Sequence, residues 1–241
     1  MTPDPAALEA ALEASWPAAA TRACGPFVLR EGAGGGRRVS AATAQGPADA
    51  AALEAAIAEM GGQGALFRLR PGTCAWDGEL DQALAARGFR RADPTLLLAA
   101  PVAALAPEPL PRLRVFAIWP PLAIQRALWA EGGIGPERLA VMARAASPRT
   151  ALMARQDDRV AGTGFVALHG DVAMIHAMEV TPALRRRGAA GNLLRAAAEW
   201  SAGQGARWLA LAVTEANAPA RALYARLGMA EAGRYHYRVA P

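Results

Sequence analysis

The sequence predicts an α/β fold, mixed α and β around a mixed sheet, and three observations carry that prediction. Short apolar runs bounded by glycine, proline or acidic turns alternate with segments of helical period along the chain. The run 174–180 gives way to the small residues 188–191 and then to a helical stretch at 192–203, the order of a strand feeding a helix. A second unit follows: strand 207–213, a helix headed by Asn217 and stopped at Gly228, and a final strand.

Taken in order, residues 27–31 and 37–41 read as a hairpin across Gly32-Ala33-Gly34-Gly35-Gly36, whose glycines suit a flexible tip. A helix over 48–60, a strand over 65–69, a helix from Asp77 to Gly88 and a strand over 95–99 follow. The proline-rich stretch 101–111 has the composition of a linker and divides the chain into residues 1–105 and 106–241. Beyond it come strand 113–118, helices 122–130 and 136–145, and strands 150–155 and 160–168 joined at Gln156-Asp157-Asp158-Arg159. A tight turn, His169-Gly170-Asp171, leads into the strand that ends at Val180.

The chain has 241 residues, 53% of them hydrophobic and 20% charged, enough for one large domain or two small ones. Alanine dominates the apolar count, so the figure overstates the large apolar surface available for burial. The net charge of +5 is an arginine excess, because the chain contains no lysine; that bias fits a GC-rich bacterial genome. Outside residues 185–187 the arginines are scattered, which argues against nucleic-acid binding. Cys24 and Cys74 lack a CxxC pattern, and His169, His176 and His236 lack ligand spacing, so neither a disulfide framework nor a metal site is expected. The opening Met1-Thr2-Pro3-Asp4-Pro5 has no signal-peptide character, and charges break every alanine run short of a membrane span. A soluble, cytoplasmic protein, monomer or homodimer, without membrane partners is the expectation.

The densest chemical signal is Arg185-Arg186-Arg187-Gly188-Ala189-Ala190-Gly191. A strand that breaks here and opens a helix aims several unpaired N–H groups, and the positive end of the helix dipole, at one spot. Gly188, Ala189, Ala190 and Gly191 let a phosphate approach the main chain, and the arginines add charge suited to a diphosphate. A Walker loop needs lysine and a dinucleotide loop needs Gly-x-Gly-x-x-Gly; neither is present.

The pattern Arg-x-x-Gly-x-Ala, read at Arg185, Gly188 and Ala190, resembles the diphosphate loop of the GNAT acyltransferases. Downstream, Asn217, Ala220, Leu223, Tyr224 and Gly228 match that family's Asn-x-x-Ala-x-x-Leu-Tyr-x-x-x-Gly-Phe segment, with Met229 in the aromatic position. The resemblance spans about 113–239 and implies a GNAT fold with a catalytic domain at 106–241. In the first part, residues 77–89 parallel the Ala220 to Met229 segment when Gly88 is laid on Gly228, with Leu84 where Tyr224 stands. No diphosphate loop accompanies it. Residues 1–105 therefore resemble a degenerate half of the same kind, as in tandem members of the superfamily.

The resemblance implies an N-acetyltransferase using acetyl-CoA as cosubstrate and an amine acceptor, by direct attack in a ternary complex and without a metal. By motif position, main-chain groups of Met178, Glu179 and Val180 hold the acetyl-pantetheine arm, with the Val180 N–H facing the oxyanion. Residues 185–191 hold the diphosphate, Asn217 bonds the arm, and Tyr224 protonates the departing sulfur. Cys24 and Cys74 lie away from the motif and are not nucleophiles here. For the general base His176 comes first because it titrates near neutrality; strand alternation puts it on the face of Met178 and Val180. Glu179, pointing the other way, is second. Both also fit structural roles, and Trp119, Trp129, Tyr235 and Tyr237 fit either an acceptor cleft or a core. The rival reading is a non-catalytic acyl-CoA-binding or regulatory module.

Overall fold

Asp4 and Pro5 start the first helix, α1 (Pro5–Ser15). The Asp4 carboxylate accepts from the Ala7 N–H at 3.0 Å, and the proline ring pre-sets the first turn. Leu8, Ala11, Leu12 and Ser15 fall on one face and are buried. Burial of each leucine contributes about 1.5–3 kcal/mol. The computed structural model describes residues 2–111 and 113–241. After α1 come β1 (Ala20–Cys24), β2 (Phe27–Glu31), β3 (Thr43–Ala44), α2 (Ala50–Glu59), β4 (Leu66–Leu69), α3 (Asp77–Ala86), β5 (Arg90–Pro101) and α4 (Val102–Leu105). They are followed by β6 (Val115–Ile118), α5 (Ala123–Glu131), α6 (Pro136–Arg144), β7 (Arg149–Gln156), β8 (Arg159–His169) and β9 (Val172–Val180). The chain ends with α7 (Ala189–Gly203), β10 (Trp208–Thr214), α8 (Ala218–Arg226) and β11 (Ala230–Val239).

Eight strands form one sheet in the order β4-β11-β5-β10-β9-β8-β7-β6, and β1-β2-β3 form a small second sheet. The β9–β10 pair is parallel and its neighbours are antiparallel. Strands from the two parts of the chain interleave: β5 lies between β10 and β11, and β11 lies between β5 and β4. The units β4–α3–β5 and β10–α8–β11 thus reach past each other. Each helix ends alike, on Gly88 at φ +81° and Gly228 at φ +78°. The Phe89 N–H donates to the Leu84 carbonyl at 3.1 Å, and the Met229 N–H donates to the Tyr224 carbonyl at 3.0 Å.

Both faces of the large sheet are covered, which explains the unbroken apolar run Leu96 to Ala100 in β5. Leu96, Leu98 and Ala100 face α7 and α8, packing with Leu193, Leu194, Ala197 and Tyr224. Leu97 and Ala99 face α1, with Leu8, Leu12, Tyr235 and Tyr237. On that second side, farther along the sheet, Trp129, Val141 and Met142 of α5 and α6 pack with Trp16 and Phe165.

Four local expectations change. Residues 37–41 are not a strand: Arg37–Val39 form a 3₁₀ turn, and β2 pairs instead with β1. The cause lies in the loop before it, where Ala33, Gly34 and Gly36 take positive φ and turn the chain. Nor is 32–36 a flexible tip, since a Cβ on buried Gly35 would sit 2.6 Å from Val141 Cγ2, so the loop is pressed onto α6. The helix expected from 192 begins at Ala189, making Ala189, Ala190 and Gly191 its first turn. The proline-rich stretch is partly built in: Pro101 ends β5, and Val102 and Leu105 are buried in the core.

Candidate active site

β9 and β10 are paired only from Trp208↔Val172 to Ala210↔Met174. Beyond that ladder they part, β9 staying with β8 and Leu211–Thr214 staying with β5. A cavity of about 620 Å³ occupies the wedge. Ile175, His176, Ala177 and Met178 line one wall; Leu211 to Thr214, Asn217 and Tyr224 line the other.

A bulge shapes the β9 wall. Phe165 pairs with His176 while Thr163 pairs with Glu179, so Ala177 and Met178 together oppose Gly164. Ala177 takes φ +50°, and the Trp129 indole N–H donates to its carbonyl at 2.8 Å. The extra residue corrects the expected alternation. Met178 turns toward Ile175 and the α7 core, whereas His176 packs between Trp16 and Phe165 on the α1 side. Glu179 lies against the end of α5, where a Cβ on Gly132 would come within 2.6 Å of its carboxyl carbon. His176 and Met178 therefore do not share a face.

Past the bulge the ladder resumes. The Thr181 N–H donates to the Ala161 carbonyl at 2.9 Å. By antiparallel alternation the preceding Val180 turns its N–H and C=O to the other edge, the one β10 has left. Its carbonyl accepts from Arg185 Nε at 3.1 Å.

The loop after β9 brings the basic run to the start of α7. Arg186 at φ +65° and Gly188 at φ +90° bend the chain so that α7 opens with no side-chain cap. The N–H groups of its first turn are left for an anion. A Cβ on Gly188 or Gly191 would meet nothing within 4 Å, so space exists there for a ligand group. Arg187 pairs with Asp157 at 3.0 Å, and Arg185 is tied to Val180. Arg186 makes no ion pair among the described residues.

Asn217 caps α8, its Oδ1 accepting from the Ala220 N–H at 3.2 Å, and the residue lines the cavity. Tyr224 is 9% exposed and lines the same space. Burial raises its phenol above the ordinary tyrosine value, so the hydroxyl keeps its proton at neutral pH. Burial also raises the Glu179 carboxyl, opposed in part by Arg185. That shift moves Glu179 toward the range in which a carboxylate removes protons well.

His176 is placed differently from what a base requires. Nδ1 lies 3.2 Å from Arg38 Nη1, and Nε2 lies 2.8 Å from Ser15 Oγ. A guanidinium only donates, so Nδ1 accepts and Nε2 carries the proton toward the serine. Burial, then the Arg38 charge, holds the imidazole well below its ordinary value. Its one lone pair is taken, and it is a weak base.

Trp129 is fully buried in the core, and Trp119 packs on Phe165 and Arg149. Tyr235 and Tyr237, 5.5 Å apart edge to face, line the wedge. Sequence reasoning missed Trp16, Arg38 and Thr95, which reach the cavity from the first part of the chain. No local pattern marked them. The arginines read as scattered are gathered by the fold, with Arg37, Arg38 and Arg138 all at this cavity.

Residues 120–229 match the model of the Acetyltransferase (GNAT) family. No curated protein matches the chain. Among solved structures, a GCN5-related N-acetyltransferase from Kribbella flavida aligns with a TM-score of 0.71 at 22% identity, covering 98% of this chain and 94% of that one. A tandem GNAT protein from the clavulanic acid biosynthesis pathway aligns at 0.57 with 17% identity, covering 95% and 86%. A GNAT-family protein from Novosphingobium aromaticivorans, described as a putative acetyltransferase, aligns at 0.54 with 19% identity, covering 90% and 89%. The expected mixed α/β GNAT fold is borne out.

Proposed function

We propose that the protein is an acetyl-CoA-dependent N-acyltransferase that acetylates a primary amine of a small molecule or peptide by direct attack in a ternary complex. One observation carries the reading: the wedge between β9 and β10 is lined by Met178, Asn217 and Tyr224, and the uncapped start of α7 follows β9. The family match over 120–229 supports acyl transfer as the class of reaction.

Acetyl-CoA would supply an activated thioester carbonyl. Residues 186–191 would grip its diphosphate through main-chain N–H groups. Main-chain groups of Met178, Glu179 and Val180, with Asn217, would hold the arm, and the Val180 N–H would stabilise the oxyanion. A C–N bond forms and the C–S bond breaks; the amine proton passes to the base and the sulfur takes the Tyr224 proton. We rank Glu179 ahead of His176 as that base, because burial raises its carboxyl whereas the His176 lone pair is directed at Arg38, although His176 lines the cavity and the Glu179 carboxyl sits beside Gly132. His176 instead anchors Arg38.

We read residues 1–105 as a degenerate half of the same kind. The matched helix ends at Gly88 and Gly228, and the reciprocal strand exchange, support this.

Calorimetry with acetyl-CoA, followed by thiol release across a panel of amines, tests the reading. Heat of binding and release with at least one amine are expected. No heat with acetyl-CoA would overturn it; binding without release from any amine would leave only an acyl-CoA-binding module.

A further inference from the structure

Three arginines with buried side chains in this protein come with carboxylates. Arg68 has Glu9 at 2.9 Å and Glu13 at 2.6 Å, Arg70 has Asp77 at 3.1 Å, and Arg30 has Glu13 at 3.1 Å. Arg38, Arg144 and Arg149 each have an enclosed Nε without a partner and no ion pair among the described residues, and of these three only Arg38 is at the wedge cavity. Arg38 hydrogen-bonds the neutral His176 ring and the Tyr235 hydroxyl, neither of them a carboxylate. A guanidinium offers five donors in a planar fork, and leaving such a charge enclosed and unpaired is costly.

The charges around Arg38 have the same sign. Arg37, Arg38 and Arg138 line the cavity, and Asp93, the one acidic lining residue among the described residues, is already paired with Arg37. That cavity rejects a plain cationic amine and favours a molecule bearing negative charge. The charge is not placed for the CoA diphosphate. Tyr224, Met178 and α7 lie on one face of the sheet, whereas Arg38 sits with Trp16, His176 and Tyr235 on the other. Tyr235 puts its hydroxyl on the fork, Thr95 lines the same cavity, and Trp16 and Tyr237 add apolar wall.

We propose that the acceptor is an aminocarboxylate, an amine that also carries a carboxylate, and that Arg38 receives that carboxylate on the α1 face of the wedge. The proposal rests on the acyltransferase reading. It makes Arg38 a specificity residue supplied by the first part of the chain. Bidentate docking on a fixed guanidinium orients the carboxylate and, through it, the amine.

The test uses the full chain saturated with CoA. Free amino acids, their carboxamides and matched aminoalkylphosphonates are titrated by calorimetry, and the same set is assayed for thiol release with acetyl-CoA. Carboxylates should be favoured over carboxamides by at least about tenfold, since a buried donor set built for an anion rejects the neutral analogue. Arg38→Met should abolish that preference while leaving the acetyl-CoA Kd unchanged, and Arg38→Lys should retain part of it. If Arg38→Met does not fold, the wild-type ratio and Arg38→Lys decide. Equal binding of carboxylates and carboxamides, preference for phosphonates, or no binding by any member overturns the proposal. Loss of acetyl-CoA binding by the wild type would instead overturn the acyltransferase reading beneath it.

Discussion

Arg38 Nη1 lies 3.2 Å from Nδ1 of His176, and this contact fixes the tautomer of a buried histidine from the opposite part of the chain. The ring is held between Trp16, with centroids 5.0 Å apart, and Phe165, at 6.4 Å. Protonating Nδ1 would set a second cation against Arg38, so the folded protein resists it.

Stability should therefore fall on the acid side of neutrality. His176 has its folded value depressed below 6.5, so below pH 6.5 the unfolded chain takes up a proton that the folded chain refuses. The stabilisation is complete above pH 6.5 and is lost as pH falls toward the depressed folded value, at up to about 1.4 kcal/mol per pH unit. His176→Gln keeps a donor and an acceptor but cannot titrate. Urea unfolding at pH 5 and pH 7 should show a smaller difference for this variant than for the wild type.

Rate profiles should report two other groups. Burial raises the Glu179 carboxyl above 4.5, so the acid limb of kcat/KM should lie above that value and disappear in Glu179→Gln, with a loss of about a hundredfold. Burial raises Tyr224 above 10.0, so no basic limb from it should appear below that pH. Tyr224→Phe should lower kcat by more than about tenfold while leaving the acetyl-CoA Kd nearly unchanged. His176→Gln should leave the acid limb in place.

Local signals made much of this site legible in the sequence. Asn217 announces a capped helix, Gly228 its left-handed stop, and Gly188 a break before α7, each through chemistry confined to a few neighbouring residues. The bulge was not legible, because an alanine at φ +50° carries no signature; it is held from outside by Trp129, 48 positions away in sequence. One unseen extra residue was enough to reverse the facing of His176 against Met178. Arg38 was hidden for a related reason, since its meaning depends on His176, 138 positions downstream. In β5 the prolines masked the length of the strand: Pro94 follows Asp93, which sits at φ +44° within a register shift, and Pro101 closes the strand.

The start of α7 offers a test in which folding and binding should move in opposite directions. Gly191 is the third residue of the helix, with nothing within 4 Å of a Cβ placed on it. Aspartate there favours the helix dipole by about 0.3–1 kcal/mol and removes glycine's helix penalty. The same carboxylate would repel a diphosphate. Gly191→Asp should melt at or above the wild-type temperature yet bind acetyl-CoA at least about tenfold more weakly in calorimetry. Undiminished affinity would mean that the diphosphate lies elsewhere.

Interleaved strands set the last prediction, which concerns residues 106–241 alone. Removing the first part would take β5 from between β10 and β11, and with it Leu96, Leu98 and Ala100 from the core beneath α7. It would also take β4 from the outer edge of β11, and Leu8 and Leu12 from the opposite face. β10 and β11 would then expose unpaired edges and apolar faces, the conditions under which strands associate between chains. Segment 106–241 expressed alone should show no cooperative thermal transition and should aggregate, whereas co-expression with residues 1–105 should restore a soluble complex. A cooperative melt and acetyl-CoA binding by 106–241 alone would show that the shared sheet is dispensable for folding and that only the acceptor side of the cavity requires the first part.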